Sequence, residues 1–296
     1  MAVSAKTPAV ESSTINETSI WGRRAIKVLI YALLIGFALI EFLPFLWALS
    51  ASLKGQAEIQ GSLSFPPKFI PDNPTLQNYG DIFSIVPFGT WYLNSFFVAI
   101  VTTLLTLFFA STSGYAFARI PFPGRDIVFW MIVGTMAIPS VITIIPTYIL
   151  LKTLGLTDTL QGLIIPFMVT AFGIFLMRQF FVSIPGELEE AARVDGAGRI
   201  RIFWQIVLPL ARPALSALTI FTFMGRWNDF LMPLIIIGKS DLFTLPLGMS
   251  TFRGQYKTDW NLLMSGSILV MIPIVVLYVA FQRFFIEGIA TTGLKG

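Results

Sequence analysis

The chain has 296 residues, 55% of them hydrophobic and only 12% charged, with a formal net charge of +4. Soluble domains carry roughly 45–50% apolar and about 25% charged residues, so the composition argues for a polytopic membrane protein, and the small basic excess suits cytoplasmic loops better than nucleic-acid binding. Cys and His are both absent, which excludes disulfides, thiolate nucleophiles, thiolate and HExxH metal sites, His-based triads and histidine proton relays.

Taken in chain order, residues 1–25 read as a cytoplasmic tail rich in Ser, Thr and Ala, with no apolar core and the composition of disorder. The rest, 26–296, reads as one transmembrane domain. A bilayer core about 30 Å thick needs roughly 20 apolar residues of helix, and six stretches qualify. These are Val28–Ala51, interrupted by Glu41, then Trp91–Tyr115, Ile127–Leu151, a short Leu160–Met177, Ala214–Ile237 with Arg226 and Asp229 inside it, and Leu262–Phe281. The backbone of a segment in lipid must pair internally, so each is expected as a helix. The fold class is therefore all-α, an integral membrane protein of six helices. Arg23, Arg24 and Lys27 precede a run too long for a signal peptide, which points to a retained span.

The basic residues orient the chain. With the N-terminus inside, 13 of the 20 Lys and Arg residues fall in inner segments and six in outer ones, so both termini are expected in the cytoplasm. Segments 52–90, 152–159 and 238–261 then face outward, the first rich in proline and expected as an irregular cap. Arg226 and Asp229, three apart, share a helix face, and intramembrane charges pair or face a cavity. Arg226, Trp227, Asn228 and Asp229, together with Asn94, are candidates for a translocation path. Gly238-Lys239-Ser240 mimics the end of a nucleotide-binding loop, but Pro233 stands where its first glycine belongs.

The most informative segment is the inner loop 183–212. Ser183-Ile184-Pro185-Gly186 precedes Glu187-Leu188-Glu189-Glu190-Ala191-Ala192-Arg193-Val194-Asp195-Gly196-Ala197. Pro185 suits a first turn, the three glutamates suit the positive end of a helix dipole, and Gly196 is a natural stop. A helix of about three turns is predicted. Leu188, Ala191, Ala192 and Asp195 share one shallow side, and Glu190 and Arg193 are spaced as a helix pair.

Glu190-Ala191-Ala192, Asp195-Gly196-Ala197, Ile206, Leu208-Pro209 and Pro213 resemble the EAA loop of ABC importer permeases. Asn94-Ser95, the run Gly114–Arg119, Phe122-Pro123-Gly124, Trp227-Asn228-Asp229-Phe230 and the ending from Gln282 to Gly296 are similar to carbohydrate importers, in particular the second inner-membrane permease subunit of maltose-type systems. The resemblance implies the type I permease fold and a coupling helix carrying Leu188, Glu190, Ala191, Ala192, Arg193, Asp195, Gly196 and Ala197. It also implies a C-terminal tail, Gly293-Leu294-Lys295-Gly296, that reaches the ATPase. The implied partners are a homologous second permease, two ATPase subunits, an extracytoplasmic solute-binding protein and the lipid of a bacterial or archaeal inner membrane, with no nucleic acid. The chain is expected to be no enzyme and to bind no cofactor, ATP and Mg belonging to the partner subunits. The expected cargo is a sugar. The alternatives are another solute such as a glycerol phosphate ester, or an ion-coupled carrier using Glu41 or Asp229.

Overall fold

The structure, a computed structural model, describes residues 17–61, 68–254 and 258–293. Among these residues the chain is helical, and the one extended pairing is an isolated bridge between Arg253 and Thr258. The helices are α1 (Glu17–Ser52), α2 (Gln56–Gly61), α3 (Gln77–Ile85), α4 (Phe88–Arg119), α5 (Arg125–Gly134), α6 (Ser140–Thr153), α7 (Leu160–Ile164), α8 (Ala171–Ser183) and α9 (Glu187–Val194). They continue with α10 (Arg199–Ile202), α11 (Leu208–Leu210), α12 (Arg212–Trp227), α13 (Leu231–Ile236), α14 (Leu245–Ser250) and α15 (Trp260–Gly293).

Three single helices are long and apolar enough to cross a membrane: Arg24–Ser52 within α1, α4, and Trp260–Gln282 within α15. Three bent pairs meet the same test, by length and composition, when each is taken as one span, for up to six among the described residues; the third of these pairs is Arg199–Leu210 with Arg212–Trp227, in place of the expected Ala214–Ile237. The bends correct the simple reading of six rods. The third span is two helices at 103°, because Pro139 has no N–H to donate and holds Ile138 extended at φ −82°, ψ 117°. The fourth bends by 42° around a short 3-10 turn that contains Pro166. The fifth does not run on to Ile237. It ends at Trp227, breaks at Asn228–Phe230, and is bent by 76° from the segment Arg199–Leu210 that leads into it. At the N-terminus, residues 17–25 belong to α1 and not to an unstructured tail. The part of that expectation covering 1–16 lies outside the described residues.

The core gathers around α4, which packs against α8, α12, α14, α7 and α5. Lipid offers little hydrophobic drive between helices, so small residues that allow close approach matter most. A Cβ on Gly114 of α4 would stand 2.7 Å from the Met177 Cβ and 2.9 Å from the Arg178 backbone nitrogen, both on α8. Away from this contact, Asn78 of α3 donates to the carbonyls of Ser52 and Lys54, at 2.8 and 2.9 Å, and accepts from Asn261 of α15 at 3.1 Å. The described parts of segment 52–90 are therefore stitched to the bundle. In contrast, α1 lies along α15 with its other faces outward, Glu41 among the exposed residues.

Gly114→Ala is expected to lower thermal stability of the detergent-solubilised protein by about 1–3 kcal/mol, the usual cost of overpacking. Gly36→Ala on α1, where an added Cβ meets nothing within 4 Å, is expected to leave the melting temperature unchanged or slightly raised.

Candidate functional site

The segment from Pro185 to Ala197 folds as a short rod with both ends fixed locally. At its start the Gly186 carbonyl accepts from the backbone N–H groups of Glu189 and Glu190, at 2.9 and 3.1 Å. At its end the Gly196 N–H donates to Arg193 O (3.0 Å) and the Ala197 N–H to Ala192 O (2.9 Å). This is a Schellman cap. It requires Gly196 to adopt φ +79°, a conformation that costs a residue bearing a Cβ about 1–2 kcal/mol. The rod spans eight residues, just over two turns and shorter than the three predicted.

Its two faces differ. Leu188, Glu190, Ala191, Arg193, Val194 and Asp195 are exposed, whereas Glu189 and Ala192 are buried against the bundle. The predicted shallow side is thus divided: Ala192 packs inward in the cluster holding Tyr115, Ile184 and Phe203, while Leu188, Ala191 and Asp195 look outward. The expected Glu190–Arg193 pair is replaced by Arg193 reaching Glu189 at 3.6 Å. An inward Ala192 lets α9 approach closely, and this draws Glu189, three residues earlier on the same side, into the bundle.

Glu189 is only 2% exposed. Its Oε1 lies 2.9 Å from Arg119 Nε, and its Oε2 accepts from the Tyr115 hydroxyl at 3.2 Å. The Arg119 contact is one of charge, since neither Nε nor Oε1 has an aligned hydrogen-bond partner. Arg119 Nη2 also donates to the carbonyls of Phe181 (2.8 Å) and Ile184, at the end of α8. A buried pair of this kind adds little net stability, but losing one member strands a charge at a cost of roughly 3–5 kcal/mol. Sequence reasoning singled out neither Glu189 nor its partnership with Arg119. The residues are 70 positions apart, and the only local signal is the helical spacing of Glu189 from Ala192.

On either side of Gly196, from the end of α9 through α10, further residues are exposed. Val194 is 88%, Ile200 78% and Trp204 51% exposed, interspersed with Arg199 and Arg201. This is a mixed apolar and basic face beside the outward side of α9.

The other candidates are placed differently. Asn94 is buried, and its amide donates to Asp241 O (2.8 Å) and Phe243 O (3.1 Å). Next to it, Ser95 Oγ accepts from Leu245 N at 2.6 Å. This pair therefore anchors segment 240–245 to α4. Trp227 is fully buried, stacked on Phe223, edge-on to Tyr92 and Phe96, and donates to Val270 O at 3.1 Å. Arg226 and Asp229 do pair, at 3.0 Å, but across the end of α12 and not within one helix. The Arg226 guanidinium also lies 3.9 Å from the centre of the Phe167 ring. Asn228 is exposed and opens, with Ser250, Arg253 and Ser267, onto a cavity of about 490 Å³. The backbone N–H groups of Gly238 and Lys239 enclose the carboxylate of Asp158, at 2.6 and 3.3 Å, so the nucleotide-loop mimic holds a side chain of its own protein. Gly293 is the last residue of α15, and Leu294–Gly296 lie outside the described residues.

Comparison with known proteins bears on this geometry. The chain is 36% identical over 278 residues to the arabinooligosaccharides transport system permease protein AraQ of Halalkalibacterium halodurans, covering 93% of this chain and 99% of that one. It is 36% identical over 276 residues to the sn-glycerol-3-phosphate transport system permease protein UgpE of Yersinia pestis, covering 90% and 97%. Among solved structures, a chain from a bacterial ABC transporter involved in the import of the acidic polysaccharide alginate superposes with a TM-score of 0.77 at 26% identity, covering 94% of this chain and all of that one. Residues 110–290, which include α9 and its surroundings, match the family described as the binding-protein-dependent transport system inner membrane component. This polytopic membrane protein belongs to that family.

Proposed function

We propose that this chain is the permease subunit of an ATP-driven ABC importer for oligosaccharides, with α9 as its coupling helix. The observation that carries the reading is the whole-length likeness to an oligosaccharide permease. The placement of α9, outside the bundle with Glu190, Ala191 and Asp195 exposed, supports it. In this reading Leu188, Glu190, Ala191, Val194 and Asp195 enter a cleft of a cytoplasmic ATPase, Gly196 ends the rod so that it fits, and Arg199, Arg201 and Trp204 widen the contact. A second, homologous permease, two ATPase subunits and an external solute-binding protein complete the assembly. ATP and Mg are held by the ATPase subunits.

The mechanism is a population shift. ATP binding must favour one arrangement of the ATPase pair, because a ligand with equal affinity for both states moves nothing. The favoured arrangement carries α9 with it and swings the bundle between inward-open and outward-open states. The solute then passes beside the cavity of Asn228, Ser250, Arg253 and Ser267, polar groups set in a mostly apolar wall that includes Phe230, Met249 and Leu263, a combination that suits the hydroxyls and the C–H faces of a sugar. The likeness to a glycerol phosphate permease keeps a phosphate ester as the second cargo class, for which Arg253 supplies the countercharge.

Three measurements test this reading. Import assays on the reconstituted transporter, using arabinotriose, an alginate trisaccharide and sn-glycerol 3-phosphate, are expected to show uptake of an oligosaccharide and none of the phosphate ester. Uptake by this chain alone, driven by an ion gradient, defeats the proposal. Glu190→Ala and Gly196→Val are expected to lower import roughly tenfold or more, within the usual range of coupling energies, while membrane insertion stays unchanged. A cysteine introduced at Val194, in a chain that has no native Cys, is expected to react with an impermeant maleimide in inside-out vesicles from cells lacking the ATPase subunits, to be protected when those subunits are present, and not to react in intact cells.

A further inference from the structure

We infer that Glu189, the buried neighbour of the outward-facing Glu190, is the positioning residue that transmits the movement of α9 into the membrane bundle through Arg119. This rests on the reading of α9 as the coupling helix.

A rod gripped from outside moves the bundle only as far as its inner face is fastened to it. The inner face of α9 offers two side chains. Ala192 makes apolar contacts, which are non-directional and let neighbouring surfaces slide. Glu189 meets Arg119 Nε at 2.9 Å and the Tyr115 hydroxyl at 3.2 Å, both in the last turns of α4. The same guanidinium binds the carbonyls of Phe181 and Ile184. One side chain thus joins the ends of α4 and α8 to the middle of α9. Glu189 is almost closed to water, and apart from Arg119 its carboxylate has only the half-exposed Arg193, at 3.6 Å and on α9 itself, as a countercharge, so parting it from Arg119 leaves a buried carboxylate poorly compensated. Displacing α9 therefore carries Arg119, and with it α4.

The choice of α4 has a mechanical consequence. It runs unbroken for 32 residues, about 48 Å, whereas three other crossings are bent. At its far end Trp91, Asn94 and Ser95 hold the outer segment 240–245 through hydrogen bonds of 2.6–3.1 Å. A push on α9 therefore reaches the outer side along one stiff element.

The test uses the whole transporter in liposomes, with the oligosaccharide that it imports, and measures ATP hydrolysed per solute delivered. Glu189→Gln keeps the shape and the acceptor for Tyr115 but loses the charge. Glu189→Asp keeps the charge and shortens the arm. The Gln variant is expected to raise the ATP cost of each imported solute roughly fivefold or more, with ATPase subunits still co-purifying in wild-type proportion, and the Asp variant to retain most of the coupling. Arg119→Gln should reproduce the defect, and the double variant should be no worse than either alone. A packing role reverses the order of Gln and Asp and overturns the inference, as does a wild-type ratio in Glu189→Gln. Should Glu189→Gln not assemble, Tyr115→Phe carries the test: a smaller rise in the same direction supports the inference, and an unchanged ratio overturns it. Glu190→Ala, measured in parallel, separates the two levels. If it uncouples and Glu189→Gln does not, only this inference falls; if Glu190→Ala also stays coupled, the reading of α9 itself is wrong.

Discussion

The helices α4 and α8 touch nearly backbone to backbone, and the position of everything at the end that carries α9 follows from that contact. Gly114 leaves room for Met177 and the Arg178 backbone, and Gly173 on α8 does the same for Ala110 on α4, where an added Cβ would come within 3.0 Å. Between helices in lipid, such close approach replaces the hydrophobic drive that holds soluble bundles together. Because the two helices are locked in register here, their C-terminal ends arrive side by side. Arg119 closes α4 beside the Phe181 and Ile184 carbonyls of α8, and the chain then turns directly into α9. The ion pair with Glu189 exists because packing deeper in the membrane has already placed its two halves.

Where the backbone leaves the helix, it does so with compensation, as a bilayer demands. At the break after α12, Asp229 accepts from Arg226 and from the backbone N–H of Met232 at the start of α13, while the Arg226 guanidinium rests on Phe167. The charges that looked like transport chemistry thus also serve as the joint of a broken span. The loop between α6 and α7 is fastened in the same way, with Asp158 gathering the N–H groups of Gly238 and Lys239. Among the described residues the bundle combines three unbroken crossings, in α1, α4 and α15, with segmented ones pinned at their breaks, and α4 is the unbroken helix around which the core gathers. A body of that kind bends at defined places and stays stiff between them.

On α9, two adjacent glutamates occupy opposite environments. Glu190 lies in the open, free to meet a partner, and Glu189 is enclosed among Tyr115, Arg119 and Ala192. Consecutive positions on a helix point about 100° apart, so this division is a plain consequence of helical geometry. The family resemblance draws attention to the exposed one, because recognition by another protein constrains the surface. The buried one belongs to the internal mechanics of this chain.

Much of this protein was legible in its residues. Hydropathy marks the apolar stretches long enough to cross, because a bilayer has one thickness. The backbone's need for internal hydrogen bonds fixes their helical nature, and Gly196 announces the end of α9, since a turn at positive φ favours glycine. The bends at Ile138–Pro139 and Asn228–Phe230 were half visible as prolines and polar residues, but the angle of a bend depends on what packs against it. Buried Trp227 and Asn94 illustrate the limit: an indole or an amide looks the same in the chain whether it meets a solute or a neighbouring carbonyl. Only the tertiary structure decided that Glu189 faces Arg119. Electrostatic partners 70 residues apart are chosen by how α4 and α8 stack, and no local pattern of residues encodes that distance.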